Sequence, residues 1–159
     1  MFWGSFAGTQ AGPCVFWEKA WGKMTARGYC LRILPQLVNF IRPNPGNSAR
    51  ILMHNNAPVH TAATTKDYLR LQGIQPIAWP PYSPDLNPIE SVWSAIKDHV
   101  YTTYGDSDRG RRRHANEVRP LVQEAWNECT QPERLLDIIR GMRGRCEAVI
   151  TTQGGHTRY

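Results

Sequence analysis

Residues 81–93, PYSPDLNPIESVW, hold three prolines in their first eight positions and then take up helical spacing, with one carboxylate, Glu90, in the opening turn. Two chemistries suit an acid in that place. It can close a capping box with Asn87, three residues upstream, by reaching back to the backbone N–H of the cap. Alternatively, the stiff approach can aim it outward at a ligand. A second polar group, Asn55, closes the apolar run ARILMHNN 35 positions earlier. Ligands in α/β sheets gather at the carboxyl ends of strands, so Asn55 and Glu90 form the first pair of candidates. Asp85 in the same proline-rich stretch reads as a turn residue.

Other candidates concern anions and bases. Arg111, Arg112 and Arg113 lie within RGRRRH and suit either a phosphate clamp or a nuclear address. Asp106 and Asp108 stand just before them, which makes a solvated loop an equal reading. Trp79, Tyr82 and Trp93 offer rings on which bases can stack. Trp93 falls on an apolar helical stripe and reads as core, which leaves Tyr82 as the stacking candidate.

The 159 residues carry a formal net charge of +6. The imbalance is concentrated, because residues 1–54 hold one acid, Glu18, against Lys19, Lys23, Arg27, Arg32, Arg42 and Arg50. A basic balance suggests an acidic partner, nucleic acid first among them, with surface solubility as the competing reading. Cys14, Cys30, Cys129 and Cys146 are scattered with no Cys-x-x-Cys pair. Clustered zinc ligands are therefore not expected, and free thiols are. No run of apolar residues is long enough to span a bilayer, and the N-terminus lacks a basic region followed by an apolar run, so neither membrane nor signal peptide is expected.

The elements that must position these groups follow from local patterning. MFWGSFAG and GPCVFWEK, separated by a Gly-containing linker, predict a β-hairpin. TARGYCLRILPQLVNFIR has helical spacing interrupted at Pro35. NPGNS predicts a turn, ARILMHNN a strand, and TAATTKDYLRLQG a helix with Thr61 as N-cap and Gly73 as stop. IQPIAW predicts a short strand with an exposed start at Pro76. Asn87 suits the N-cap of the next helix and Pro88 its first position, and Ile89, Val92, Trp93, Ile96 and Val100 then form one buried stripe. Residues 105–114 predict a charged loop. A helix through Val118, Leu121, Val122, Ala125, Trp126 and Cys129 follows. Thr130 and Glu133 suggest a capping box for a last helix that stops before Gly154. The predicted order is β-β-α-β-α-β-α-α-α, an α/β fold.

Two blocks carry a resemblance. LMHNNAPVHTA and IAWPPYSPDLNPIESVWSAIK resemble the second and third signature blocks of Tc1/mariner-like transposases, in their DDE endonuclease domain, and MFWGSFAG, GPCVFW and GGHTRY resemble its fungal branch. The 34 residues between Asn55 and Glu90 match the Tc1-like spacing. The resemblance covers nearly the whole chain.

The resemblance implies an RNase H-like mixed sheet followed by C-terminal helices. Residues 1–104 would form a partial DDE core, 105–115 a charged loop, and 116–159 a helical extension of the same domain. In the family, three acids hold two Mg2+ or Mn2+ ions for DNA cleavage and strand transfer, since hard cations take oxygen ligands. On that pattern Glu90 is the third acid, and Asn55 stands where the second Asp belongs. The first Asp lies on a central strand upstream of MFWGSFAG, which this chain is expected to lack, leaving sheet edges facing a gap. The amide at Asn55 keeps the shape of the carboxylate without its charge. Catalysis and stable Mg2+ or Mn2+ binding are therefore expected to be lost. Asn56 and His60 match the same block and are assigned to the nucleic-acid face with Tyr82, Arg111, Arg112 and Arg113, structural hydrogen bonding being the equal reading for both. His54 reads only as a neighbour. The expected partner is DNA, bound weakly and without sequence preference, in the nucleus. A homo-oligomer, or a hetero-oligomer with an intact transposase, is the further expectation. The competing readings are a non-catalytic interaction module and a degraded transposon remnant.

Overall fold

A computed structural model describes residues 1–43, 50–104, 114–155 and 157. The NPGNS turn and Arg111, Arg112 and Arg113 lie outside the described residues. By contacts the chain divides into two units, Met1–Ala7 with Gly12–Tyr82, and Gly8–Ala11 with Ser83–Tyr159.

In the first unit the hairpin forms as the pattern predicts. Strand β1 (Phe2–Ala7) pairs with β2 (Gln10–Phe16) across a two-residue turn. Gly8 takes a φ of +56°, a conformation that a residue with a Cβ adopts only at a cost. A short 3-10 turn, Lys19–Trp21, leads to α1 (Ala26–Arg32) and α2 (Leu34–Ile41). Thr25 caps α1 by accepting the Gly28 N–H at 3.1 Å. The break falls at Ile33 because Pro35 has no N–H to continue α1 and sits comfortably in the first turn of α2. The apolar faces of both helices bury Tyr29, Cys30, Ile33, Leu34, Leu37 and Ile41 in one cluster with Trp17, Leu52 and Leu69.

The predicted helix at 61–73 is two pieces, α3 (Pro58–Thr61) and α4 (Ala63–Leu71). Thr61 therefore ends α3 and does not cap α4. Its hydroxyl turns back to the carbonyls of Ala57 and Pro58, at 3.4 and 3.5 Å. The stop at Gly73 holds. With φ +71°, Gly73 donates to the Arg70 carbonyl, and Ile74 donates to the Leu69 carbonyl at 2.9 Å, which is a Schellman closure.

The structure corrects both predicted inner strands. Neither ARILMHNN nor IQPIAW is a strand, and the described sheet contains β1 and β2 alone. A single backbone hydrogen bond, from the Ile77 N–H to the Leu52 carbonyl at 2.9 Å, joins the two runs among the described residues. Pro76 supplies no donor, and the next link is a side chain, Asn56 Nδ2 to the Trp79 carbonyl at 2.9 Å. Apolar alternation records burial, as at Leu52, but a strand also needs a ladder of backbone partners.

The second unit is helical. It contains α5 (Pro88–Tyr104), α6 (Ala115–Cys129) and α7 (Pro132–Thr151). Val92 and Ile96 on α5 are buried, and Trp93 meets Trp126 of α6 with ring centroids 5.6 Å apart. His114 caps α6, its N–H bonded to Glu117 Oε2 at 3.0 Å. The capping box predicted at Thr130 and Glu133 does not form. Gln131 occupies the N-cap position of α7 with its side chain bonded back to the Asn127 carbonyl, and the Thr130 hydroxyl donates to the Trp126 carbonyl at 2.7 Å, finishing α6. Cys14, Cys30, Cys129 and Cys146 are free.

Candidate functional site

Asn55 sits on the extended segment between Leu52 and α3, exposed, and its orientation follows from its neighbours. The Ala57 N–H donates to Asn55 Oδ1 at 3.1 Å, an Asx turn that starts α3. His60 Nδ1 lies 2.9 Å from the same oxygen and 3.1 Å from the Asn55 carbonyl. Both neighbours are acceptors, so His60 carries its proton on Nδ1. A backbone N–H can face only the oxygen of the amide, so the NH2 group of Asn55 occupies the remaining corner. That corner is a hydrogen-bond donor, where a carboxylate would present a second oxygen.

The two histidines of this stretch form one unit. His54 and His60 stack with ring planes 5° apart and centroids at 4.6 Å, and the Tyr29 ring also meets His60, tilted, with centroids at 4.9 Å. His54 Nδ1 is buried with no hydrogen-bond partner among the described residues. Burial, and then the neighbouring His60, push the His54 pKa down to about 4. Burial also lowers the pKa of His60, while its bond to the Asn55 backbone opposes that shift. Periodicity could not reveal this pair, because His54 lies on the extended segment and His60 on α3. Asn56 is turned away from the stack and bonded to Trp79. Tyr82 is fully exposed with a φ of +54°.

Glu90 belongs to the second unit. The capping box is not made at its first-turn position. The Asn87 N–H, which a capping box would offer to Glu90, donates to the Pro84 carbonyl at 2.9 Å instead. Asn87, 5% exposed, caps α5 through its own Oδ1, which faces the Ile89 N–H at 3.4 Å. Glu90 is exposed, and no hydrogen bond or ion pair holds its carboxylate among the described residues.

The turn that presents Glu90 is held from α7. Arg145 donates to the Asp85 carbonyl at 3.1 Å and to the Ser91 hydroxyl, so one guanidinium clasps the chain on both sides of the cap. Thr157 donates to Asp85 Oδ2 at 3.0 Å. Asp85 is a turn residue as expected, its other oxygen accepting the Leu86 N–H at 3.1 Å. A lone arginine 60 residues downstream carries no local signal, and the sequence reading did not single it out.

The fold itself gives the class, an RNase H-like fold. The chain superposes on the catalytic domain of Mos1 mariner transposase with a TM-score of 0.64 and 20% identity, over 97% of this chain and 79% of that one. A Mos1 catalytic domain bound to raltegravir and Mg aligns at 0.63 and 21% identity, over 91% and 76% of the two chains. The profile of the DDE superfamily endonuclease matches residues 28–109, and this chain belongs to that family, among relatives of the Tc1/mariner type. It is 30% identical to the Tcb2 transposase of Caenorhabditis briggsae, over all of this chain and 54% of that protein. It is 28% identical to the Tc3 transposase of Caenorhabditis elegans, over all of this chain and 45% of that protein. The chain thus spans about half the length of the curated relatives it matches.

The residues described here do not fit a centre for hard divalent cations. No three His, Cys, Asp or Glu side chains are grouped to hold a metal among the described residues. At Asn55 the oxygen is already engaged by Ala57 and His60, and the free corner is an N–H donor that repels a cation.

Proposed function

We propose that this chain is a DDE domain of a Tc1/mariner transposase that binds DNA but has lost strand cleavage. The observation that carries the reading is the amide of Asn55, locked with its NH2 outward where the family presents an acid. Cleavage in this family depends on Mg2+ or Mn2+, and Glu90 alone is a poor counter-charge for such ions. The Mg-bound Mos1 domain and the Mos1 paired end complex with Mn support divalent ions, DNA ends and partner copies as the ancestral setting. The net charge of +6 supports retained, non-specific affinity for DNA. Asn56, His60, Tyr82 and the arginines at 111–113 are assigned to that contact, and the nucleus is the compartment it requires.

Two measurements test this. A supercoiled plasmid incubated with the chain and Mn2+ is expected to stay intact. Nicking that disappears on Glu90→Ala would overturn the loss of cleavage. Affinity for duplex DNA is expected to fall steeply between about 50 and about 200 mM salt. An affinity that stays level overturns the DNA-binding reading.

One observation favours a second reading, an interaction module. Among the described residues the sheet has two strands, β1 and β2, and an edge of such a sheet can take an added strand. Sedimentation with and without a full-length relative separates this reading from the first.

A further inference from the structure

Charge is distributed very unevenly between the two units. The first, residues 1–7 and 12–82, has eight Lys or Arg against two acids, and so holds the whole surplus of +6. The second has eleven of each sign. Within the first unit, residues 19–66 contain seven cations and no Asp or Glu. A solvated face normally mixes both signs, and a stretch of this length without an acid departs from that habit.

The structure sets one of those cations, Arg32, on an aromatic support, with Lys19, Lys23 and Arg27 exposed nearby in sequence. Trp17 is buried and donates from Nε1 to the Gly22 carbonyl at 2.8 Å. Trp21 stands edge-on to it, with centroids 5.2 Å apart. Gly28 lets the backbone of α1 lie directly on Trp17, since a Cβ there would come within 2.8 Å of the ring. The Arg32 guanidinium then covers Trp21, 4.0 Å from its centroid. Lys19 and Lys23 are each two residues from Trp21. Arg27 stands on the same helix as Arg32, about 7.5 Å along its axis. Lys19, Lys23, Arg27 and Arg32 are all exposed. Glu18, half-buried, is the only acid near them in sequence.

We infer that Lys19, Lys23, Arg27 and Arg32 form a phosphate-backbone surface for duplex DNA, with Arg32 braced on Trp21. This rests on the DNA-binding reading above and adds a second set of contacts to the residues assigned there. A duplex presents phosphates as a dense row, and Arg32, held on Trp21, meets such a row with less side-chain ordering than a free arginine. The surface reads no sequence, because nothing in it is placed to reach base edges with a fixed pattern of donors and acceptors.

The test is anisotropy of a labelled duplex of arbitrary sequence, titrated at several salt concentrations with the full chain. The Lys19→Gln/Lys23→Gln/Arg27→Gln variant spares Arg32, which packs on Trp21. It is expected to lose at least about tenfold in low-salt affinity, and its salt slope is expected to fall by about 2.7, at ~0.9 per phosphate contact. The control Arg140→Gln/Arg143→Gln removes two exposed cations of α7 that face Asp137 and Glu147, and it is expected to bind like the parent. Circular dichroism checks folding. If the triple variant is unfolded, Lys19→Gln/Lys23→Gln replaces it, with an expected slope change of about 1.8. Parent binding with an unchanged slope in the variant overturns this surface and leaves DNA binding standing. A parent chain that does not bind duplex at low salt overturns both. Binding to phosphatidylserine vesicles in preference to duplex, lost in the variant, overturns the choice of DNA.

Discussion

At the scale of single residues, the face-to-face histidines make the clearest statement about pH. His54 is held neutral in the fold, with its pKa lowered from 6.5 to about 4 by burial and by the nearby His60. The unfolded chain takes up a proton near the ordinary value, so between pH 6.5 and about 4 it binds more protons than the folded chain. Stability is therefore complete above 6.5 and declines as pH falls through that window. The melting midpoint of the parent chain is expected to drop across it, and His54→Phe, which keeps a ring against His60, is expected to flatten the curve. Parallel curves for the two proteins would show that His54 is not the source. A second residue-scale prediction concerns Gly12. A Cβ there would lie 2.7 Å from the Phe40 ring, so Gly12→Ala is expected to cost about 1–3 kcal/mol by overpacking, read from a urea midpoint.

At the scale of elements, the turn before α5 depends on a helix that follows it by many residues. Arg145 ties the Asp85 carbonyl and the Ser91 hydroxyl to α7, so α7 steadies the backbone that presents Glu90. Arg145→Met keeps much of the packing and removes the clasp. Amide hydrogen exchange across residues 85–91 is expected to quicken, with a loss of about 1.5–3 kcal/mol in stability. Unchanged protection there would rule out the clasp as the support of the turn. Helices were the elements most legible in sequence, for a physical reason. The Asn87–Pro88 start, the break at Pro35 and the stop at Gly73 are set by a few neighbouring residues, and all three recur in the structure. The runs at 49–56 and 74–79 failed as strands because pairing is decided by another segment's backbone, which an alternating pattern cannot report. Thr61 and Thr130 failed as caps because a threonine hydroxyl serves the end of one helix as readily as the start of the next.

At the scale of the whole molecule, two units of similar length differ in charge and in make-up. Tyr82, wholly exposed and with a positive φ, is the last residue of the first unit. Brief chymotrypsin treatment is expected to cut after Tyr82 well before it cuts at the buried Tyr29, yielding a strongly basic fragment 1–82 identified by mass. Early cutting at Tyr29 would show that the first unit is not closed around its core. Asn55, Asn56, His60 and Glu90 were singled out as candidates because a long motif marks them. The stack of His54 on His60, the clasp of Arg145 and the tryptophan brace under Arg32 were not. Each depends on contacts that no spacing rule records.

The Asx turn at Asn55 has an evolutionary corollary. Codons for asparagine and aspartate differ at their first base, so a lone transition there would install an acid whose inner oxygen meets donors already in position, the Ala57 N–H and the His60 imidazole. The local scaffold asks for no accompanying adjustment. A lineage bearing this sequence therefore stands one substitution from gaining a negative group at this position, and related genomic copies with either residue should be folded alike.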